Sequence, residues 1–162
     1  MISDVRSNFR PGKSLAVIVQ ATPQHAAAIH AIENEAFSDP WSKSSILYEI
    51  NEPGSVFLVA VNENQNAIGY ASMRHVLDEG HISNIAVSAS YKNQGVGSLL
   101  MESLVNEARR LKITALTLEV RESNKAAISL YKKYGFVQKG VRRDFYSYPN
   151  EDGIVMWKEH LI

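Results

Sequence analysis

NIAVSASYKNQGVGSLLME, residues 84–102, changes its periodicity midway. A β-type apolar run ends at Val87, and a polar loop follows from Ser88 to Gln94. Gly95-Val96-Gly97 then opens onto Leu99, Leu100, Leu104, Ala108 and Leu111, spaced by threes and fours like the apolar stripe of a helix. A strand therefore feeds a loop whose glycines stand at a helix start. Glycine permits positive φ and lets a ligand come close to the backbone. The first N–H groups of a helix lack internal partners, and the helix dipole adds partial positive charge there, so the loop reads either as only a tight turn or as an anion site. Consistent with the latter, no acidic side chain occurs from Tyr91 to Met101, and Lys92 is basic. The loop is not a dinucleotide fingerprint, because Leu100 occupies the place of its last small residue, nor a P-loop, because no Gly-Lys-Ser/Thr follows.

Working outward, the strand ahead of this loop begins at His81, and the helix behind it leads to Thr114–Arg121. In that second run Leu116, Leu118 and Val120 alternate with Thr117, Glu119 and Arg121. Strand, helix and strand imply a parallel crossover. Upstream, Leu15–Ala21 reads as a first strand. A helix follows, capped by Thr22 with Pro23 at its first position, running to about Phe37 and burying Ala26, Ile29, Ile32 and Ala36. Ser38-Asp39-Pro40 breaks it, and a shorter helix spans about Ser42 to Asn51. Ser55–Val61 and Ala67–Leu77 form a hairpin, with Asp78-Glu79-Gly80 as the next turn. Downstream, Ser123 is placed to cap a helix with Ala127, Ile128 and Tyr131 on one stripe, closed by Gly135. Phe136 to about Phe145 and Ile154 to about His160 complete the chain as strands.

The order β-α-α-β-β-β-α-β-α-β-β predicts an α/β (α+β) fold. It is a single mixed, mostly antiparallel, twisted sheet of about seven strands with helices on both faces. Residues 1–14, polar and basic with Pro11-Gly12, read as a loose arm before one domain over 15–162. At 162 residues one domain is the default and a sizeable core is available. With 45% hydrophobic and 21% charged residues the composition is that of a globular protein. Seventeen basic residues balance 17 acidic ones, so no global field draws the chain to nucleic acid or a membrane surface. No cysteine is present, which removes disulfides, thiolate metal sites and a cysteine nucleophile, and fits a reducing, cytoplasmic setting. The N-terminus lacks the apolar run of a signal peptide.

Three side chains stand out for chemistry. Glu119, on the face opposite Leu116 and Leu118, is either a solvated carboxylate paired with Arg121 or a general base. Tyr131 is either a core tyrosine or a proton donor to a departing thiolate. Asn124 either bonds its own backbone or holds amide or phosphate groups of a cofactor. The five histidines make no metal spacing with nearby acids and read as surface or core residues, so no metal is expected. Trp41 reads as core, with a substrate wall as the alternative, and Arg142-Arg143 as a solvated pair or an attractor of an acidic or backbone partner.

Lys92-Asn93-Gln94-Gly95-Val96-Gly97 resembles the Q/R-x-x-G-x-G/A pyrophosphate loop of the GNAT N-acetyltransferases. Further stretches narrow the resemblance to the RimI type, the ribosomal-protein-alanine N-acetyltransferases, over about Val17 to Met156. They are Asp39-Pro40-Trp41-Ser42, Asn84-Ile85-Ala86-Val87, Leu118-Glu119-Val120-Arg121-Glu122-Ser123-Asn124 and Leu130-Tyr131-Lys132-Lys133-Tyr134-Gly135-Phe136. Arg142-Arg143-Asp144-Phe145-Tyr146 resembles that type's R-R-x-Y-Y segment with Phe145 in place of the first tyrosine, and Glu151-Asp152-Gly153 its E-D-A segment.

The resemblance implies the GNAT fold and acetyl-CoA as co-substrate. By position, Ile85, Ala86 and Val87 would line it with backbone groups. Asn93, Gln94, Gly95, Val96, Gly97 and Ser98 would cradle its pyrophosphate, and Asn124 would also bind it. Glu119 would accept a proton and Tyr131 donate one, while the hairpins around residues 70–80 and the last two strands would shape a peptide slot. The implied acceptor is the N-terminal α-amine of a protein, above all the N-terminal alanine of a small-subunit ribosomal protein. Association with tRNA-threonylcarbamoylation proteins is a further implied partnership, with no direct nucleic acid and no membrane. Direct attack of an amine on the thioester needs no cysteine. An α-amine titrates near 8 and a lysine near 10.4, a difference of about 3 kcal/mol in favour of an N-terminal acceptor at neutral pH. Two other readings stay open: a GNAT enzyme acting on a small-molecule amine or protein lysine, and a non-catalytic acyl-CoA-binding module.

Overall fold

A computed structural model of the chain describes residues 16–162; the arm expected over 1–14 lies outside the described residues. Strands β1 (Val17–Gln20), β2 (Ser55–Val61), β3 (Ala67–Val76), β4 (Glu79–Val87), β5 (Ala115–Arg121), β6 (Val137–Tyr146) and β7 (Glu151–Lys158) form one sheet in the order β1-β2-β3-β4-β5-β7-β6. Every neighbouring pair is antiparallel except β4–β5. The expected mixed sheet and its single parallel crossover are therefore present.

Helices α1 (Ala26–Ala36) and α2 (Lys43–Asn51) cover one face, where Ile29, Ile32 and Ile46 pack on Phe57, Val59 and Tyr70. Helices α3 (Val96–Arg110) and α4 (Lys125–Lys133) cover the other, where Leu100, Leu104 and Tyr131 pack on Leu116, Leu118 and Met156. The alternation along β5 is what serves two layers at once: Leu116, Leu118 and Val120 are buried, and Thr117, Glu119 and Arg121 are half-buried on the opposite face.

Element ends differ from expectation where side chains compete for backbone partners. Pro23–His25 is a 3-10 turn, and the Thr22 amide donates to His25 Nδ1 at 3.0 Å, so the α-helix starts only at Ala26. On α1 the buried face is Ala26, Ile29, Ile32 and Glu33; Ala36 is exposed. The turn expected at 78–80 is tighter, because Glu79 and Gly80 already pair with Val76 and His75. Glu151 and Asp152 likewise belong to β7 instead of preceding it. Asn124, not Ser123, caps α4, its Oδ1 accepting from the Ala127 amide at 3.2 Å.

The pairing of β4 and β5 positions everything that follows. It comprises Glu79↔Ala115, Gly80↔Leu116 and His81↔Thr117 and then stops, although β4 continues to Val87 and β5 to Arg121. At the point of parting β4 carries a bulge, with Ser72 opposite Asn84 and Met73 opposite Ile82, so Ser83 is the extra residue. Gly80 sits at the apex because a Cβ there would lie 2.7 Å from Leu116 Cδ2. The two strands splay into a V.

Candidate active site

The V encloses a cleft of about 510 Å³. Ser83, Asn84 and Ile85 of β4 and Glu119, Val120 and Arg121 of β5 form its sides. Asn124, Ala127 and Tyr131 close it from α4, Phe37 to Asp39 and Trp41 from the α1–α2 connection, and Phe145 to Ser147 from the end of β6. These come from both faces, so the cleft passes through the plane of the sheet. Residues 70–80, expected to shape the slot, contribute nothing to its lining. The α1–α2 connection takes that place.

Glu119 and Tyr131 meet in this cleft. The Glu119 side chain is only 10% exposed, and its partner is not Arg121. Its Oε2 lies 2.6 Å from His81 Nε2, and its Oε1 lies 3.6 Å from Arg142 Nε. A carboxylate only accepts, so the His81 nitrogen carries the proton in that contact. The His81 ring is 46% exposed and links Glu119 to solvent. His81 was read from sequence as an ordinary surface or core histidine. Its role emerges only from the β4–β5 register, which sets His81 opposite Thr117, two residues before Glu119 on the same face.

Tyr131 is a core tyrosine that also borders the cleft. Its ring packs in the core 5.9 Å from Phe136, and it also lines the cleft. Burial pushes its phenol above the ordinary value, with Tyr146 adding to the effect. No hydrogen-bond partner for its hydroxyl occurs among the described residues. Tyr146, beside it, is pushed up to about 12 by burial and then by the Glu119 carboxylate.

Arg121 is a clamp. Its guanidinium donates to Ser147 O at 3.0 Å, Pro149 O at 2.9 Å and Glu151 Oε2 at 3.2 Å, reaches Ser38 Oγ at 3.3 Å, and stacks on Tyr146 at 4.5 Å. It ties two walls of the cleft together. Hydrogen bonding from Ser123 and the Arg121 guanidinium hold the Glu151 carboxyl below its usual range.

The glycine loop lies along the same gap. A Cβ at Gly97 would stand 3.5 Å from Leu130, the neighbour of Tyr131, and 3.9 Å from Val87. Gly95 is the N-cap of α3 with φ 84°, Asn93 has φ 60°, and no side chain caps this helix. Among the described residues no acceptor meets the amides of Asn93 to Ser98 in hydrogen-bond geometry. Alternating left-handed residues before an uncapped 15-residue helix form a concavity of N–H groups suited to phosphate. Ile85 borders the cleft, Val87 abuts Gly97, and Ala86 packs toward α1 on the other face, leaving only its backbone to a ligand in the gap. Asn124 borders the cleft while its Oδ1 caps α4.

Two further residues complete the α1–α2 side of the cleft. Trp41 is half-buried and forms a wall. Glu33 is fully buried behind that wall; a charged residue four positions after Ile29, inside the α1 stripe, was the available signal. Among the described residues no cluster of three or more metal-ligating side chains occurs, and no helix is long and apolar enough to cross a membrane.

Comparison with known proteins agrees with this geometry. The model of the acetyltransferase (GNAT) family matches residues 26–136. The [ribosomal protein bS18]-alanine N-acetyltransferase of Escherichia coli (strain K12) is 37% identical over 132 residues, covering 80% of this chain and 87% of the relative. The crystal structure of the ribosomal-protein-S18-alanine N-acetyltransferase from Escherichia coli superposes with a TM-score of 0.83 at 31% identity, covering 90% and 94% of the two chains. Ard1 from Thermoplasma volcanium gives a TM-score of 0.83 at 25% identity, covering 91% and 99%.

Proposed function

The chain belongs to the acetyltransferase (GNAT) family, and from that premise we propose that it moves an acetyl group from acetyl-CoA to the N-terminal α-amine of a protein. The acceptor we infer is the N-terminal alanine of ribosomal protein bS18, the substrate in the names of its relatives, modified in the cytoplasm. Acetyl-CoA supplies the activated acyl group. The amides of Asn93 to Ser98 hold its pyrophosphate, and Ile85, Ala86, Val87 and Asn124 border the rest of it. The free edge of β4 beyond His81 offers backbone donors to the carbonyl oxygen, where charge develops.

The acceptor comes from the α1–α2 side of the slot. As the amine nitrogen bonds to the acetyl carbon and the carbon–sulfur bond breaks, Glu119 takes the amine's proton and gives it up to solvent once the products leave, while the His81 Nε2–H holds the carboxylate in place. Tyr131 keeps its phenolic proton at neutral pH, because burial raises it, and gives it to the leaving sulfur. Arg142 steadies the second oxygen of Glu119.

The observation that carries this reading is that Glu119 and Tyr131 share one cleft at the place where β4 and β5 part. The test is turnover on peptides that differ only in their first residue, with a terminally blocked peptide bearing internal lysines beside them. Alanine-starting peptide should be acetylated; activity confined to internal lysines would overturn the reading. Glu119→Gln and Tyr131→Phe should each lower kcat about 100-fold while acetyl-CoA affinity stays within about twofold.

A further inference from the structure

Glu33 is fully buried in the middle of α1, facing the sheet, and none of its hydrogen-bond partners is basic. An unpaired carboxylate in such a place is costly unless donors surround it. Three do, each from a different element. The Tyr70 hydroxyl of β3 donates to Oε1, the Asn84 Nδ2 of β4 donates to Oε1 at 2.6 Å, and the Trp41 backbone amide donates to Oε2 at 2.9 Å. Tyr70 is itself fully buried, so it anchors the carboxyl against the floor of the sheet. The other two partners both line the cleft. A leucine would fill this apolar stripe without the desolvation cost. What the acid adds is a link between the α1–α2 wall and the β4 wall at a fixed separation.

We propose that Glu33 is a positioning residue for the acceptor, setting the width and orientation of the acceptor end of the cleft by holding Trp41 and Asn84 together. It touches neither substrate and acts through those two residues. None of its three partners belongs to the Asn93–Ser98 loop. Loss of Glu33 therefore loosens acceptor binding and leaves acetyl-CoA binding alone. This inference rests on the acceptor reading above.

The test is steady-state kinetics of Glu33→Gln with an alanine-starting peptide, together with direct acetyl-CoA titration. Glutamine keeps the shape but offers one acceptor oxygen in place of two and turns a donor toward donors. Acceptor KM should rise about tenfold, with the acetyl-CoA Kd within about twofold. Glu33→Gln/Asn84→Asp reverses the amide and the carboxylate and should recover most of the lost KM. Tyr70→Phe, which removes only the anchoring hydroxyl, should raise KM about threefold and reads the same cluster if Glu33→Gln does not fold. An unmoved acceptor KM, a KM and acetyl-CoA Kd rising together, or a double variant no better than the single one each overturn the proposal. If the wild type acetylates no N-terminal peptide, the acceptor reading has failed instead, and the same comparison on the amine it does acetylate decides the role of Glu33.

Discussion

His81 and Arg142 divide the two oxygens of Glu119 between them, and they are not equivalent. His81 makes the short contact and reaches water, whereas Arg142 is a longer, more exposed neighbour. Removing the histidine should leave the carboxylate without the donor that orients it. His81→Ala is expected to lower kcat about tenfold with acceptor KM within about threefold, measured under saturating acetyl-CoA. An unchanged kcat would leave His81 as a packing neighbour only. At this scale the parity of β5 already put Glu119 on the open face, but its partner could not be read. Arg121 is next on that face in sequence and is the natural guess; it turns away to Glu151 and the β6–β7 turn instead. His81 is 38 residues distant, and only the register of a parallel pair brings it within 2.6 Å. The two arginines that follow each other, Arg142 and Arg143, also part company: one approaches Glu119, the other is largely solvated and 4.0 Å from Asp152.

The β4–α3 passage is the element most legible in advance, because its chemistry is local. Strand, polar loop, left-handed glycine and amphipathic helix follow one another in sequence, and each is dictated by neighbours within a few residues. Gly97 offers a sharp test of what the loop is for. A methyl group there meets only ordinary van der Waals contacts with Leu130 and Val87. Alanine also favours a helix by about 1 kcal/mol over glycine. Gly97→Ala should therefore keep or slightly raise the thermal midpoint. It should nevertheless raise the acetyl-CoA KM about tenfold, because the methyl keeps phosphate off the backbone. A lowered midpoint with normal acetyl-CoA KM would make this glycine a packing residue. Less legible were contributions made across space. The Phe37–Trp41 connection looked like a helix break followed by a tryptophan of the core or of a substrate wall, and its place in the cleft depends on Glu33 and Arg121 drawing it in.

For the whole molecule, a mixed sheet of about seven strands and the helices on both faces were foreseeable, since alternating strands and striped helices leave few ways to bury two apolar layers; the insertion of β7 between β5 and β6 was not. The V was not: nothing in the pattern of β4 or β5 says that their pairing ends after three residues. Buried phenols close to the V give the molecule an alkaline limit. Tyr70, Tyr131 and Tyr146 are all raised from the ordinary 10.0, chiefly by burial, Tyr146 to about 12. A raised phenol holds its proton more tightly in the native state than in the unfolded chain. The stabilisation it gives is complete below pH 10 and is lost as pH climbs from there through the native values. Denaturant midpoints should be flat from about pH 8 to about pH 9.5 and fall above about pH 10. Tyr146→Phe should soften that fall, and an equal slope in variant and wild type would exclude its phenol as a source.

Because the opening between β4 and β5 has lips on either flank of the sheet, donor and acceptor never queue at one entrance. Spent coenzyme can depart by its own door while the modified chain withdraws by the other. Only the foremost atoms of each need enter, so the bulk hanging behind a protein terminus is immaterial. The size of the protein that carries that terminus therefore sets no limit on what the cleft can modify.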